Sequence, residues 1–357
     1  MTTWHVITPE FPPSCGGVGD YTSLLAAALT GKGDRVYVWH PGRLPDRFGR
    51  SGRDVIEKAW SADAGTILVE YVPSAFGRRG LNVPFCLWLS SLRRRGADVR
   101  IMFHEPFFYF GFDRPWRNGL AIVQRLMAAI LLRAATRAYY STEAWTPLMR
   151  PYGPQEHVEI LPIPATIPVD VPPDAIAAAR RSLAGVYAVG HFGTYGEHVV
   201  GELVPALREL HRRLPSARVL LAGRGAAAFV QALEPALASH VGVVETDDGG
   251  AIAAALRTCD VLMQPYPDGV TTRRTSMMAA LTTGLPVVTT QGRLTERVWI
   301  ESDAVTLVPA GDGAALAEQT ARLVEDADAR RDLGARGRRL YDERFAMDFT
   351  VTRLRRA

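Results

Sequence analysis

The chain reads as an α/β protein of two Rossmann-like domains, each a doubly wound parallel sheet. Three observations predict this. Its 357 residues exceed what one ordinary core holds. Short apolar strands alternate with amphipathic helices along its length. The alternation stops at a proline-rich stretch, Leu161–Asp174 (LPIPATIPVDVPPD), and then begins again.

In the first half, Trp4–Thr8 (WHVIT) is an apolar run that suits a buried parallel strand. Pro12, Pro13, Gly16, Gly17 and Gly19 make a loop after it. Asp20 is the expected N-cap of a helix, Tyr21–Leu29, which Gly31 and Gly33 end. Arg35–Trp39, Thr66–Tyr71, Val99–Phe103 and Arg137–Ser141 are further strands. After the prolines come strands at Ala188–Phe192, Arg218–Ala222, Val241–Val244, Val261–Gln264 and Pro286–Thr289. Helices are expected at Val200–Arg213, Ala226–Leu237 and Ala251–Thr258. Gln319–Ala357 is helical in pattern and rich in Arg, Asp and Glu. No short-period repeat is visible, which argues against a solenoid.

Composition narrows the function classes. Hydrophobic residues make up 47% and charged residues 22%, as in soluble globular proteins. A net charge of +4, from 41 basic and 37 acidic residues, is too small to point to nucleic acid. Only Lys32 and Lys58 among the basic residues are Lys, which a genome-wide codon bias explains. Cys15, Cys86 and Cys259 lack metal-ligand spacing and suit a reducing cytoplasm. MTTWHVITPEF has neither the charged nor the apolar region of a signal peptide. The most apolar stretch, Ala121–Leu132, is short and interrupted by Arg125, so it cannot span a bilayer.

Three segments carry chemistry. Ser14–Tyr21 (SCGGVGDY) places glycines between a strand and a helix, where backbone can approach a ligand and helix amides favour an anion. Its spacing departs from the dinucleotide fingerprint, and a plain strand-to-helix turn explains it equally well. Phe103–Tyr109 (FHEPFFY) follows a strand, where open α/β sheets bind ligands. His104 there can donate to a sugar hydroxyl and the rings can stack on a sugar, against the plainer reading of a buried histidine in an aromatic core. Asp268–Ser276 (DGVTTRRTS) sets Arg273 and Arg274 ahead of a helix, with Thr275 as candidate N-cap. Two guanidinium groups beside a helix start make a diphosphate cradle. A solvated arginine pair is the alternative. Arg93–Arg95 and Arg355–Arg356 read as solvated faces, and Asp247–Asp248 beside Gly249–Gly250 as a turn. There is no HExxH, EF-hand loop or P-loop motif.

Taken in order, these segments resemble retaining glycosyltransferase family 4. PEFPPSCGGVGDYT is similar to its N-terminal Gly-Gly loop, IMFHEP to its strand-end His segment, and ILPIPATIP to its hinge. VGHFGTYG and LLAGRG resemble the opening turns of its nucleotide domain. DVLMQPYPDG through MAALTTGLPVVTT resembles its donor-binding strand, loop and helix. The resemblance implies a GT-B fold of two facing Rossmann-like domains, 1–165 on the acceptor side and 166–340 on the nucleotide-sugar side. A C-terminal helix, 341–357, would cross back to the first. It implies retaining transfer from a nucleotide-sugar donor, with no metal and no other cofactor. His104 and Asp268 would be catalytic. Gly16, Gly17, Gly193, Thr194, Arg273, Arg274, Thr275 and Ser276 would bind the donor, and Asp20, Tyr21, Glu105 and Phe107 the acceptor. Two departures stand out. Ala279 occupies the place of the family's ribose-binding Glu, and Thr194–Glu197 the place of its usual Arg and Lys. The aromatic set of Tyr71–Gly80 and Phe107–Tyr109 suits a small ring, a metabolite or a glycan, as acceptor. Peripheral membrane contact through the Arg117–Arg137 helix is the less favoured alternative, since such helices more often face a core.

Overall fold

Strands that are apolar on both sides need cover on both faces, and the chain supplies it by returning through helices. A computed structural model describes residues 1–13, 16–73, 76–77, 80–111, 116–183 and 187–356. The chain divides into two units, Met1–Pro162 with Thr350–Ala357, and Ile163–Phe349. Among the described residues, each unit is built on a six-stranded parallel sheet flanked by helices, so both Rossmann-like domains are present.

The first sheet holds β1 (Thr3–Ile7), β2 (Arg35–Trp39), β3 (Thr66–Tyr71), β4 (Val99–Phe103), β5 (Arg137–Tyr140) and β6 (Val158–Ile160) in the order β2-β1-β3-β4-β5-β6. Every residue of β3 (TILVEY) and β4 (VRIMF) is buried. The second sheet holds β7 (Tyr187–Phe192), β8 (Val219–Ala222), β9 (Val241–Val244), β10 (Cys259–Gln264), β11 (Val287–Gln291) and β12 (Thr306–Pro309) in the order β12-β11-β10-β7-β8-β9. Alternate residues of its strands feed two separate apolar clusters, one on each face. The direction in which successive strands are added across the sheet reverses between β1 and β3 in the first sheet, and between β7 and β10 in the second. Ligands of such sheets bind beyond the carboxyl ends of the strands at these switch points.

Several boundaries differ from the sequence reading, each for a physical reason. The first helix spans Gly17–Gly31 with Gly16 as N-cap, so Asp20 lies inside the first turn. A distant carboxylate, Glu10, does the capping instead. The expected helix Ala226–Leu237 is two, Ala226–Gln231 and Pro235–Ala238, because a proline restricts the residue before it and donates no amide bond. Thr275 is the first helical residue rather than the cap, which is Arg274. The proline-rich stretch is not a solvated tether. Leu161, Ile163, Ala165 and Ile167 are buried, Ile163 N–H donates to Thr272 O, and Ala165 N–H donates to the Tyr341 hydroxyl. The helical tail breaks between Ala327–Arg344 and Met347–Arg355.

Asp34, just before β2, ties the two ends of the first unit together. Its carboxylate accepts from Thr2 N–H at 3.0 Å and Trp4 Nε1 at 3.1 Å, and pairs with Arg355 Nε at 3.1 Å. Arg100 on β4 adds a bond to Leu354 O. Replacing Asp34 with Ala leaves the indole N–H and the guanidinium without their acceptor. Urea denaturation should register a loss of about 2–4 kcal/mol; a loss under about 0.5 kcal/mol would show that the clasp adds little.

Candidate functional site

The loop after β1 closes on itself. Glu10 Oε1 accepts from Val18 N–H at 3.1 Å and Gly19 N–H at 3.2 Å, filling the positive end of the helix Gly17–Gly31. A Cβ at Gly16 would collide with that carboxylate, which explains the glycine there. Gly17 and Asp20 are exposed on the first turn. Ser14 and Cys15 of this segment lie outside the described residues.

Beside it, at the carboxyl end of β4, His104 Nε2 lies 2.7 Å from Glu70 Oε2. Glu70 is fully buried on β3 and its Oε1 has no partner among the described residues. The buried ring of Tyr21 meets the His104 ring edge-on at 5.3 Å, which brings two of the expected site residues together. Burial, with the Glu70 carboxylate as a smaller cause, holds the Tyr21 phenol well above its ordinary range, so it stays protonated. The His104 backbone is pinned by Tyr71 O on one side and by Ser141 Oγ and Trp145 Nε1 on the other. Glu105 is exposed.

The expected aromatic acceptor cleft is corrected by burial. Phe107 lies in the core, edge-on to Tyr152 and under the Arg125 guanidinium at 4.2 Å. Tyr71 and Phe76 are core residues stacked on each other, because apolar rings of a strand and its following loop fill space beneath the flanking helices. Tyr109 alone of the described rings in those two segments is largely exposed. Ser74, Ala75, Arg78 and Arg79 lie outside the described residues.

In the second unit, β7 and β10 meet at the switch point. Gly193 follows β7, donating its N–H to Ala222 O, and Thr194 is exposed. Two residues earlier His191, 2% exposed, donates Nδ1–H to Met263 O of β10 at 2.9 Å. Its Nε2 has no partner among the described residues. Burial lowers its pKa to about 4, so the ring is neutral and Nε2 is an acceptor. A titratable residue inside an otherwise apolar strand was the available sequence signal for both His191 and Glu70. The helix start after β8, at Ala226, is occupied by Glu245, which accepts from Gly225 N–H at 2.7 Å and Ala227 N–H at 3.1 Å.

The loop after β10 is different. Asp268 pairs with Arg293 at 2.9 Å on the surface, and Gly269, at φ +89°, packs against Gly292 and Thr295 too closely for a side chain. Thr272 gives its N–H and its hydroxyl to the buried Glu296, so a carboxylate remote in sequence fixes the backbone just before the arginines. Nothing in the sequence around Glu296 pointed to this. Arg273 and Arg274 are half-buried, and the Arg274 guanidinium lies 5.1 Å from the Tyr266 ring centre. The Tyr266 hydroxyl bonds Ser276 Oγ at 2.8 Å. The helix Thr275–Thr282 has no side-chain cap among the described residues, so its first amides are not satisfied by a carboxylate as those at Gly17 are. Ala279 is fully buried in that helix.

Two doubly wound units with their loops gathered beyond the strand ends define the two-Rossmann-domain, or GT-B, class of fold. Residues 185–326, which lie within the second unit, match the family Glycosyl transferases group 1. A phosphatidyl-myo-inositol mannosyltransferase of Mycobacterium leprae is 30% identical over 186 residues, 49% of this chain and 49% of the relative. The match thus spans about half the length of that curated relative. Sucrose-phosphate synthase of Thermosynechococcus elongatus has the same fold, with a TM-score of 0.73 at 17% identity over 99% of this chain and 97% of that one. Anabaena HepE, solved in complex with UDP-glucose, gives 0.67 at 14% identity over 99% and 98%.

His191 also makes a pH prediction. An unfolded histidine takes a proton near pH 6.5, whereas the buried ring resists until about 4. Between those values the unfolded chain binds the extra proton. Stability is therefore full above pH 6.5 and falls as pH drops towards 4, by up to about 3 kcal/mol. In His191→Asn, whose amide can still donate to Met263 O, the thermal midpoint should fall less steeply over that window. Parallel slopes in the two proteins would contradict the assignment.

Proposed function

We propose that this chain is a glycosyltransferase that moves a sugar from a nucleotide-sugar donor to a hydroxyl of a small-molecule or glycan acceptor, with retention at the anomeric carbon. The carrying observation is the uncapped start of the helix Thr275–Thr282, flanked by Arg273 and Arg274, within the stretch that matches the group 1 family. Where Glu10 and Glu245 occupy other helix starts, this one has no carboxylate cap among the described residues and is flanked by two arginines. A leaving nucleoside diphosphate gains charge as the glycosidic bond breaks, and donors already aimed at it stabilise that change. With retention, the diphosphate oxygen accepts the proton of the incoming hydroxyl on the same face of the sugar, so no enzyme nucleophile is needed. His104, held by Glu70, positions the sugar. Asp268, on the loop after β10, is the second residue assigned to the reacting sugar. Gly193, Thr194 and Ser276 line the donor loops. Asp20, Tyr21 and Glu105 belong to the acceptor side, Tyr21 through its contact with His104. The buried free thiols of Cys86 and Cys259 suit the cytoplasm.

One observation favours a second reading, a non-catalytic nucleotide-sugar binder. Ala279 stands where the resembling family carries a carboxylate for the ribose. Incubation with a panel of nucleotide-sugars, with and without cell extract as acceptor, separates the two. Release of nucleoside diphosphate that depends on extract supports transfer; binding without release supports the alternative.

The Arg273→Ala/Arg274→Ala variant should keep its fold and lose nucleoside diphosphate affinity by about a hundredfold or more, since each charge-assisted bond contributes about 1.5–3 kcal/mol. Calorimetry giving wild-type affinity would remove the pair from the site. With arginines and helix amides as the counter-charge, transfer should persist in excess EDTA. Complete loss that manganese or magnesium restores would mean that a divalent ion holds the diphosphate instead.

A further inference from the structure

A helix on the outside of a sheet ordinarily turns a polar side to solvent. The helix Trp116–Ala134 does the reverse. At 3.6 residues per turn its outer arc runs through Trp116, Gly119, Ile122, Leu126 and Ile130 before reaching a charge at Arg133. Trp116 is 65% exposed, Ile122 60% and Leu126 52%, whereas the opposite side buries Met127, Ala128 and Leu131 in the core.

The apolar surface extends beyond that helix. The connections β3→β4 and β4→β5 run in the same direction across the sheet. Right-handed crossovers then put the helix Val83–Arg94 on the same face, and the two helices pack side by side. Leu87 of that neighbour is 53% exposed, and Tyr109 and Phe110 are exposed on the loop leading to Trp116.

The charge on these two helices and their adjoining loops is mostly basic, and the neighbouring Glu57 is taken up by Arg95 and Trp88. From Tyr71 to Arg137 the chain carries eleven arginines and only Asp98, Glu105 and Asp113 as acids, and neither helix contains an acidic residue. Arg93 and Arg94 are exposed and make no ion pair among the described residues. Arg117 lies over Phe108, and Arg125 over Phe110 at 3.9 Å, so these cations are held against the rings.

We propose that this face of the first unit docks on an anionic lipid bilayer. Aliphatic and aromatic side chains enter the boundary between headgroups and acyl chains, while the arginines meet lipid phosphates. Exposed isoleucine and leucine have no role against a nucleic-acid backbone. A second copy of this chain would press like charges together. The inference stands apart from the catalytic reading, because docking requires no transfer.

Sedimentation of the full chain with phosphatidylcholine vesicles, with and without an equal share of phosphatidylglycerol, tests it. The protein should pellet with the anionic vesicles, remain in solution with the neutral ones, and bind less as salt rises. Ile122→Glu/Leu126→Glu should reduce binding by about tenfold or more, with an unchanged thermal midpoint because both side chains are solvent-exposed. Arg93→Glu/Arg94→Glu should weaken binding and flatten its salt dependence. No binding to anionic vesicles at physiological ionic strength would overturn the proposal, as would binding that the Ile122/Leu126 variant leaves unchanged. A dimer in ultracentrifugation that the same variant dissociates would overturn it too, giving the face to a second copy.

Discussion

The first amides of a helix need acceptors, and how each need is met organises this molecule. At Gly17 the acceptor is Glu10, from the start of the preceding loop. At Ala226 it is Glu245, from the strand end beyond, and those amides hold its carboxyl below the usual range. Asp248, Asp312 and Asp326 cap their own helices locally. The start at Thr275 is left with arginines instead of a carboxylate, although a carboxylate is close at hand. Glu296 accepts from the backbone and hydroxyl of Thr272, three residues before the helix, where it shapes the approach. Two kinds of strand-end loop therefore arise from one rule: loops whose helix start is capped by a carboxylate, and loops such as those before Glu197 and Thr275 that show no side-chain cap among the described residues.

The polar groups inside the sheets follow a related rule. A buried carboxylate or imidazole needs hydrogen bonds to offset lost hydration. Glu70 meets half of that need through His104, and His191 meets half of its own through Met263 O. Each leaves one atom without a partner among the described residues, and each lies at or beside the carboxyl end of a strand. Both unfinished groups fall where these sheets receive ligands.

Much of the fold was legible because period and punctuation agree with it. β2, β3, β4 and β9 have the bounds that their apolar runs indicated. Sites that depend on partners distant in sequence were not legible. Asp20 has the chemistry of a cap, but Glu10 reached the amides from eight residues away, and local preference could not reveal it. The aromatic residues near His104 look alike in sequence, yet Phe107 and Phe76 face the core and Tyr109 faces water. A loop carries no period that separates the two. The prolines after Leu161 indicated a place of irregular backbone. They said nothing of the burial that fixes it, which comes from apolar residues alternating with them.

The clasp of Asp34 with Arg355 has a consequence for synthesis. The second unit is contiguous, whereas the first is completed by Thr350–Ala357, so in the order of translation the second is an insertion within the first. A ribosome delivers β1 to β6 early, but the buried faces of Val351 and Leu354 and the partner of Asp34 arrive only after the whole second sheet. The unit begun first is finished last. During that interval the nascent first unit waits with an unfinished edge, and the later-made sheet can settle before it.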